Sequence, residues 1–492
     1  MAKKYKIPCP SNIRLLKAYH NLLKIERIKK NEKLENLLRK RKIRSLSGVV
    51  VVSVLTKPYP CPGKCIYCPI EKGMPKSYLS GEPAAERAKK LKFDPYLQVQ
   101  KRLESLKKQG HPTDKIELRI IGGTFSFYPS DYKIWFLTNC FAAANERKRI
   151  LKKKLDWEIL EKEQKINEKA KQRIVGISIE TRPDFIDEKE ILNLRRLGVT
   201  MVELGIQTIF DEILEKCKRG HGVKEIILAT KILKDAGFKV MYQMMPNLPG
   251  SNLKKDEKMF EELFSNPDFQ PDLLKIYPCA LLKEAPLYKL WKAGKYKPYT
   301  DNQLIDFIKS IKKKIPYYVR IQRITRDIPS QRILVGGAKI SNLRQILAEK
   351  IKKENWRCHC IRCREVKEKY NPEEKVYLFR QDYEASGGKE IFLSFENRNR
   401  TKLYSLLRLR ITSQNKAIVR EIHTYGQLVS VAEKNLAPQH RGFGKKIIKE
   451  TEKIAKKEFD LNKIAVISGF GARNYFRKLG YKLENTYMIK NL

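Results

Sequence analysis

Between residues 49 and 277, short runs of aliphatic and β-branched residues alternate with longer stretches of helical period. Val49-Val50-Val51-Val52-Ser53-Val54 has the composition of a parallel strand buried on both faces. Comparable runs recur at Lys115 to Ile121, Arg173 to Ile179, Met201 to Gly205, Lys239 to Met244 and Leu273 to Tyr277. Helical stretches such as Pro95 to Gln109 and Asp187 to Leu197 lie between them. This alternation predicts an α/β unit, a (β/α) barrel or partial barrel of parallel strands.

The pattern changes on either side of that unit. Residues 1–47 form a basic leader in which Ile25, Ile28, Leu34, Leu37 and Leu38 recur at helical spacing. Residues 326–372 read as irregular. Beyond them, Val376 to Arg380, Ile391 to Phe395, Tyr404 to Ile411 and Ala417 to Tyr425 read as antiparallel strands. A helix at His440 to Phe459, a strand at Lys463 to Ser468 and a helix at Ala472 to Leu479 follow. The expected domains are therefore 1–47, 48–325, 326–372 and 373–492, the last a mixed α/β unit.

Charge adds a partner class. Of 492 residues, 103 are Lys or Arg and 55 Asp or Glu, a net +48. So large a surplus suggests a polyanionic partner, with RNA or DNA the leading candidate and a lysine-rich solvated surface the alternative. Between Met1 and Arg44 stand fifteen basic residues and three acids. The leader is accordingly either a phosphate contact or a solvated amphipathic helix. The apolar stretch Leu46 to Leu55 is too short to cross a bilayer, and no hydrophobic signal core begins the chain, so no membrane association is expected. Ten cysteines, six of them in two tight clusters, fit metal ligation in a reducing cytoplasm better than a disulfide framework.

The first cluster is Cys61, Cys65 and Cys68, directly after the first strand and hence at the carboxyl end of the barrel. Three thiolates can hold three irons of a 4Fe–4S cluster and leave the fourth open for a small molecule. A structural zinc knuckle is the alternative, but no Cys or His follows before Cys140 except His111. The C-x3-C-x2-C spacing, with Tyr67 before the last cysteine, resembles the cluster motif of radical S-adenosylmethionine (SAM) enzymes. That resemblance implies SAM on the open iron and its cleavage to a 5′-deoxyadenosyl radical. Near the C-terminus, Gln439-His440-Arg441-Gly442-Phe443-Gly444-Lys445 opens a helix, and glycines there let backbone N–H groups approach a pyrophosphate. With Ala472 to Tyr481 it resembles the coenzyme A-binding core of the GNAT acetyltransferases. By that resemblance Glu421, Ile422, His423 and Thr424 pair with the pantetheine arm. Many GNAT enzymes place a general-acid tyrosine where this chain has Phe476; the adjacent Tyr475 is expected to point to the opposite side.

A radical SAM barrel followed by a GNAT domain resembles the Elongator protein 3 family over nearly the whole chain. The matching segments include Lys57 to Pro69, Phe93-Asp-Pro-Tyr96, Ile121-Gly-Gly-Thr-Phe125, Glu180-Thr-Arg-Pro-Asp184, Glu203 to Thr208, Pro246 to Gly250 and Lys463 to Tyr481. The resemblance implies modification of the tRNA wobble uridine at carbon 5, in the anticodon stem-loop, from acetyl-CoA and SAM, with an external electron donor and possible self-association of the chain. It further implies that Gly122 and Gly123 receive the SAM amino group, that Glu180 and Gln207 bind SAM or the base, and that Lys115 serves acetyl-CoA. Lys115, Glu180 and Tyr475 are the candidate catalytic residues. Cys358, Cys360 and Cys363 resemble a zinc site found in many relatives, its fourth ligand open among His359, Cys279 and His221. An acetyl group held at Gly442 and Gly444 has to meet a radical made near the first cysteines, so the two domains are expected to share one cleft. The rival readings are a protein lysine acetyltransferase with a structural cluster, and a non-catalytic tRNA-binding scaffold.

Overall fold

A computed structural model describes residues 8–29, 31–41, 44–151, 155–367, 371, 373–426 and 441–492. Its first sheet holds seven parallel strands in sequence order: β1 (Val50–Leu55), β2 (Lys115–Ile121), β3 (Arg173–Thr181), β4 (Met201–Gln207), β5 (Lys239–Met244), β6 (Leu273–Ile276) and β7 (Arg320–Arg323). β1 and β7 form opposite edges, so the barrel is partial. The expected fold class holds, with a seventh strand added. β7, Arg-Ile-Gln-Arg, escaped the apolar pattern because its polar residues are only partly buried and Ile321 alone is buried in the core.

Within β2 the outward residues Ile116, Leu118 and Ile120 are buried against the helices, while Glu117, Arg119 and Ile121 alternate with them. The concave side of the barrel is correspondingly polar in its middle. Arg119, Glu180, Gln243 and Lys275 line one cavity there.

The second sheet has the order β13-β14-β12-β11-β10-β9-β8, from β8 (Val376–Ala385), β9 (Gly388–Asn397), β10 (Leu403–Ile411), β11 (Ala417–Thr424), β12 (Lys463–Val466), β13 (Lys482–Glu484) and β14 (Tyr487–Asn491). Its pairs are antiparallel except β11 with β12. The helix Phe443–Phe459 covers one face through Ile447, Ile448 and Ile454. The other face carries arginines and is docked on the barrel. Arg408, Arg410 and Arg420 are at most 1% exposed. Arg420 makes a bidentate pair with Asp272 (2.8 and 2.6 Å) and reaches the Phe238 carbonyl (2.7 Å). Arg410 donates to Asp235 (2.8 Å) and Arg408 to the Tyr318 carbonyl (2.7 Å).

All these barrel partners precede the strands they adjoin. Asp272 lies before β6, Asp235 and Phe238 before β5, and Tyr318 before β7. Lys239, the first residue of β5, pairs with Glu421 at 3.2 Å, and Arg320, the first of β7, donates to the Tyr425 hydroxyl at 3.2 Å. The second sheet therefore caps the amino end of the barrel. Burial alone raises the Asp272 carboxyl, but Arg420, Lys234 and Arg408 around it hold it well below the usual range. Asp272→Ala strands those cations and is expected to cost about 3–5 kcal/mol of stability, measured by denaturant unfolding. A loss near zero would remove the interface pair as a stabilising element.

The leader differs from expectation. Asn12–Lys24 and Glu32–Leu38 are separate helices, and Ile25 and Leu37 are 58% and 72% exposed. Leu16 and Tyr19 are the buried residues of the first helix, whose N-cap is Ser11. Within 326–367 the chain is more regular than its sequence suggests, with a helix at Leu343–Lys353 that buries Leu343, Leu347 and Ile351. Among the described residues no helix is long and apolar enough to cross a membrane.

Candidate active site at the two ends of the barrel

The cysteine loop leaves β1 at its carboxyl end and is fastened to loops beyond later strands. Ile66 N–H donates to Cys217 C=O (3.1 Å), Leu287 N–H to Ile66 C=O (2.8 Å) and Ile70 N–H to Glu284 C=O (3.0 Å). Cys65 is buried, and Cys61 and Cys68 line the cavity. The hydrogen bond from Cys68, joined by the charge of Arg219, holds the Cys65 thiol down to about 4 against the effect of burial. The same contact with Cys65, together with burial, pushes Cys68 well up. These sulfurs do not form a set of three within 4.8 Å, as those of Cys358, Cys360 and Cys363 do. Cys65 and Cys68 are in contact, Cys61 stands more than 4.8 Å from at least one of them, and Arg219 backs Cys65, so the loop presents three thiols to a cubane but no gathered set for one tetrahedral ion.

In front of the thiols lies a cavity of about 220 Å³. Tyr67, Gly123, Glu180 and Gln207 line it, so four of the residues singled out in the sequence meet the cysteines there. Gly122 and Gly123 turn the chain at the end of β2 with φ of +137° and +100°. A Cβ on Gly122 would stand 2.0 Å from Thr56 Oγ1, so only glycine lets these strand ends approach. Gln207 also has positive φ, +75°, uncommon for a side chain with a Cβ and here located at the cavity wall. Tyr67 is buried, and its hydroxyl faces the Cys65 thiol, which it helps to hold down.

Glu180 is an organised acceptor. It receives the Tyr78 hydroxyl (2.6 Å), Gln243 Nε2 (3.2 Å) and Lys275 Nζ (3.4 Å). Lys275 also pairs with Glu203. Burial pushes the Lys275 ammonium down, but Glu203 and Glu180 beside it keep it above its ordinary value. Lys275, Glu203, Gln243 and Tyr78 belong to the site without having been marked as site residues by any sequence motif. The available signal was a lysine inside the wholly buried strand Leu-Leu-Lys-Ile, since a charge in such a place needs a partner.

Lys115 begins β2 and is thus at the opposite end of the strand from Gly122. Burial and the neighbouring Arg173 lower its pKa. It lies at the end the second sheet caps.

In that sheet the β11–β12 register covers residues 417–419 and 464–466 and ends with a bond from Ile467 N–H to Val419 C=O (3.1 Å), and among the described residues the two strands make no further pair. A bulge accompanies the change, since the pairing of β10 with β11 shifts between Arg408 and Leu409. Glu421 then turns to Lys239 and Arg408, and His423 Nε2 lies 2.7 Å from Ser47 C=O, both on the barrel side. Ile422 and Thr424 turn the other way. A Cβ on Gly444 would meet Tyr475 Oη at 2.9 Å, Thr424 Oγ1 at 3.6 Å and Ile422 Cδ1 at 3.8 Å. Tyr475 therefore does not point away, as its place beside Phe476 had suggested: its hydroxyl is at the glycine, whereas Phe476 is 2% exposed in the core with Ile447 and Tyr481.

Gly442, φ +73°, caps the helix Phe443–Phe459 with nothing within 4 Å of a built Cβ. Phe443 is buried and packs on Phe395 and Tyr404, and Lys445 is exposed. Arg441 stacks over Phe443, and its Nη1 is a buried donor without a partner among the described residues. An open turn, an unused guanidinium donor and a helix N-terminus suit an anionic group such as a pyrophosphate. Gln439 and His440 lie outside the described residues.

Cys358, Cys360 and Cys363 come together as expected, with Lys312 Nζ 3.6 Å from Cys363 Sγ. None of the expected fourth ligands joins them among the described residues. His359 stacks on Tyr317 (4.6 Å, 9°), Cys279 is packed with Cys217 and Tyr296 in another cluster, and His221 faces Gly222 C=O.

Among the described residues, no residue of the second sheet or of the helix Phe443–Phe459 lines the cavity at the three cysteines. The cysteine cavity is at the carboxyl end of the barrel and the β11–β12 gap at its amino end, separated by about 20 Å of strand at ~3.3 Å per residue. The expectation missed this because chain order does not say which end of a barrel a following domain covers.

Residues 59–263 match the Radical SAM superfamily, and residues 271–353 the Radical_SAM C-terminal domain. The chain is 47% identical over 478 residues to a tRNA uridine(34) acetyltransferase of Methanocaldococcus infernus, covering 93% of this chain and 88% of that one. It is 42% identical to the protein of that name from Dehalococcoides mccartyi (92% and 100% covered), and 37% identical to human Elongator complex protein 3 (92% and 86% covered). The solved structure of the archaeal Methanocaldococcus infernus Elp3 with N-terminus deletion (1-46) superposes with a TM-score of 0.78 at 44% identity, covering 91% of this chain and all of that one. On the identity, coverage and shared architecture together, the chain belongs to the Elongator protein 3 family of radical SAM proteins.

Proposed function

We propose that the protein modifies carbon 5 of the wobble uridine in tRNA, joining to it the methyl carbon of an acetyl group drawn from acetyl-CoA. The observation that carries this reading is that one chain holds both a three-thiol cavity lined by Glu180, Gln207 and Gln243 and, beside the β11–β12 gap, an open helix N-terminus suited to a pyrophosphate, so that in this reading the acetyl group travels from the second to the first. Its immediate relatives bear the name tRNA uridine(34) acetyltransferase. Uridine C5 carries no acidic proton and is a poor nucleophile, so a carbon–carbon bond there calls for radical chemistry. A 4Fe–4S cluster on Cys61, Cys65 and Cys68, with SAM, supplies a radical able to take hydrogen from the acetyl methyl group.

The chain's own residues then position the reactants. Glu180 offers an acceptor to a pyrimidine N–H, while Gln243 and Lys275 offer donors to its carbonyl oxygens. Gly122 and Gly123 leave a strand end open to the SAM amino group. At the other end Gly442, Phe443 and Gly444 present the helix N-terminus to the pyrophosphate, and Ile422 and Thr424 border the pantetheine. In this reading Tyr475, whose hydroxyl lies beside Gly444, gives a proton to the departing thiolate, the part that many GNAT enzymes give to a tyrosine at the position of Phe476. Cys358, Cys360 and Cys363 hold a structural zinc in this reading, completed by a ligand outside the set. An external one-electron donor reduces the cluster.

The leader serves the RNA. Removing residues 1–44 is expected to weaken tRNA binding at least about tenfold near physiological salt and to flatten the salt dependence, with acetyl-CoA affinity unchanged. Filter binding over a salt series measures both. Unchanged tRNA affinity would reduce the leader to a solvated helix. The functional reading itself is tested by acetyl-CoA turnover with and without tRNA. Thioester loss should depend on tRNA, and turnover indifferent to RNA but dependent on a protein lysine would favour protein acetylation.

A further inference from the structure

Arg219 lies three residues beyond the helix Asp211–Lys216 and is 6% exposed. Its Nη1 donates to Cys65 Sγ at 3.4 Å, and its Nη2 to the Gly205 carbonyl. A Cβ on Gly205 would stand 2.8 Å from that Nη2, so glycine in β4 is what lets the guanidinium lie against the strand. Arg219 has no carboxylate partner among the described residues, and its Nε is a buried donor with no partner. Arg182 makes an informative contrast. It too is buried against the cysteine loop, 2.5 Å from a Cβ built on Gly63, but it is balanced by a bidentate pair with Asp184 (2.8 and 2.7 Å). Burying an unbalanced cation costs several kcal/mol, so Arg219 needs an anion. The acidic groups around it are Tyr67, Cys65 and Cys68.

We infer that Arg219 is the fixed counter-charge of the cluster held by Cys61, Cys65 and Cys68, and that it raises the reduction potential of that cluster. The inference rests on the cluster assignment in the proposed function. Three thiolates give the oxidised cluster one net negative charge, and one electron from a low-potential donor makes it two. A cation and an N–H donor at a ligand sulfur stabilise the more negative state. Arg182, its charge already met by Asp184, contributes less.

The test is a redox titration of the full chain followed by electron paramagnetic resonance, with dithionite as donor and without SAM, acetyl-CoA or RNA. Leaving SAM out separates an effect on the cluster from one on SAM binding. Arg219→Met should shift the reduction equilibrium at least about tenfold against the reduced form, roughly 59 mV for one electron. Arg219→Lys should fall between it and the unaltered protein. If Arg219→Met takes up no iron and sulfide, Arg219→Gln replaces it, and its potential should lie below that of Arg219→Lys. Equal potentials in all loaded variants would overturn the inference. An unaltered protein that binds no cluster would instead overturn the cluster assignment.

Discussion

Cys65→Ala protein, purified without oxygen, is expected to hold no 4Fe–4S cluster and to form no carbon–carbon bond to uridine, while tRNA-stimulated loss of the acetyl-CoA thioester persists. A cluster that already has one iron without a protein ligand cannot be kept by two thiolates. The thioester step survives because the β11–β12 gap is at the other end of the barrel and shares no side chain with the cysteine loop. Loss of product should be complete rather than partial. Iron and sulfide analysis with the visible spectrum checks the first half, and nucleoside analysis of the tRNA the second. A Cys65→Ala protein retaining stoichiometric iron and sulfide would overturn the assignment.

Gly442→Glu is expected to weaken acetyl-CoA binding about 100-fold or more, because the new carboxylate faces the pyrophosphate at a helix N-terminus. Among the described residues nothing lies within 4 Å of a Cβ there, so space is not the obstacle they set. The conformation is a smaller one: at φ +73° a side chain costs roughly 1–2 kcal/mol. Gly442→Asn, which tolerates that conformation without adding charge, separates the two and should keep most of the affinity. Calorimetric titration with acetyl-CoA measures both. An affinity loss as large for Asn as for Glu would make the turn geometry, rather than charge, the cause.

Much of the architecture was legible because burial on both faces leaves a plain mark. Six of the seven barrel strands are aliphatic or β-branched runs, and the cysteine spacing fixed the loop that follows the first. The inward face of the barrel was not legible. Glu117, Arg119 and Lys275 alternate with core residues and carry no mark of an inward face, and Glu180 stands out only through the family resemblance, yet Glu117 pairs with Arg119 and Lys275 with Glu180 inside. The same ambiguity hid the interface, because Arg408, Arg410 and Arg420 look like the solvent face of a strand but are matched by Asp272, Asp235 and Glu390. Tyr475 and Phe476 were assigned to the wrong sides because a 3-10 turn, Phe470–Ala472, precedes the helix Arg473–Arg477 and sets its phase. Gly122-Gly123 and Gly442 could be placed without coordinates, each being a glycine where the chain turns at a strand end or helix start.

The central claim is that carbon from acetyl-CoA is joined to uridine by chemistry that needs the three cysteines. Its most direct test is mass spectrometry of tRNA nucleosides after anaerobic incubation of the protein with tRNA, SAM, a low-potential reductant and acetyl-CoA isotopically labelled at the methyl carbon. The account predicts labelled side chain on the wobble uridine, present only with reductant and absent with Cys65→Ala. Labelled uridine produced equally by Cys65→Ala, or label recovered only on protein lysines, would contradict it.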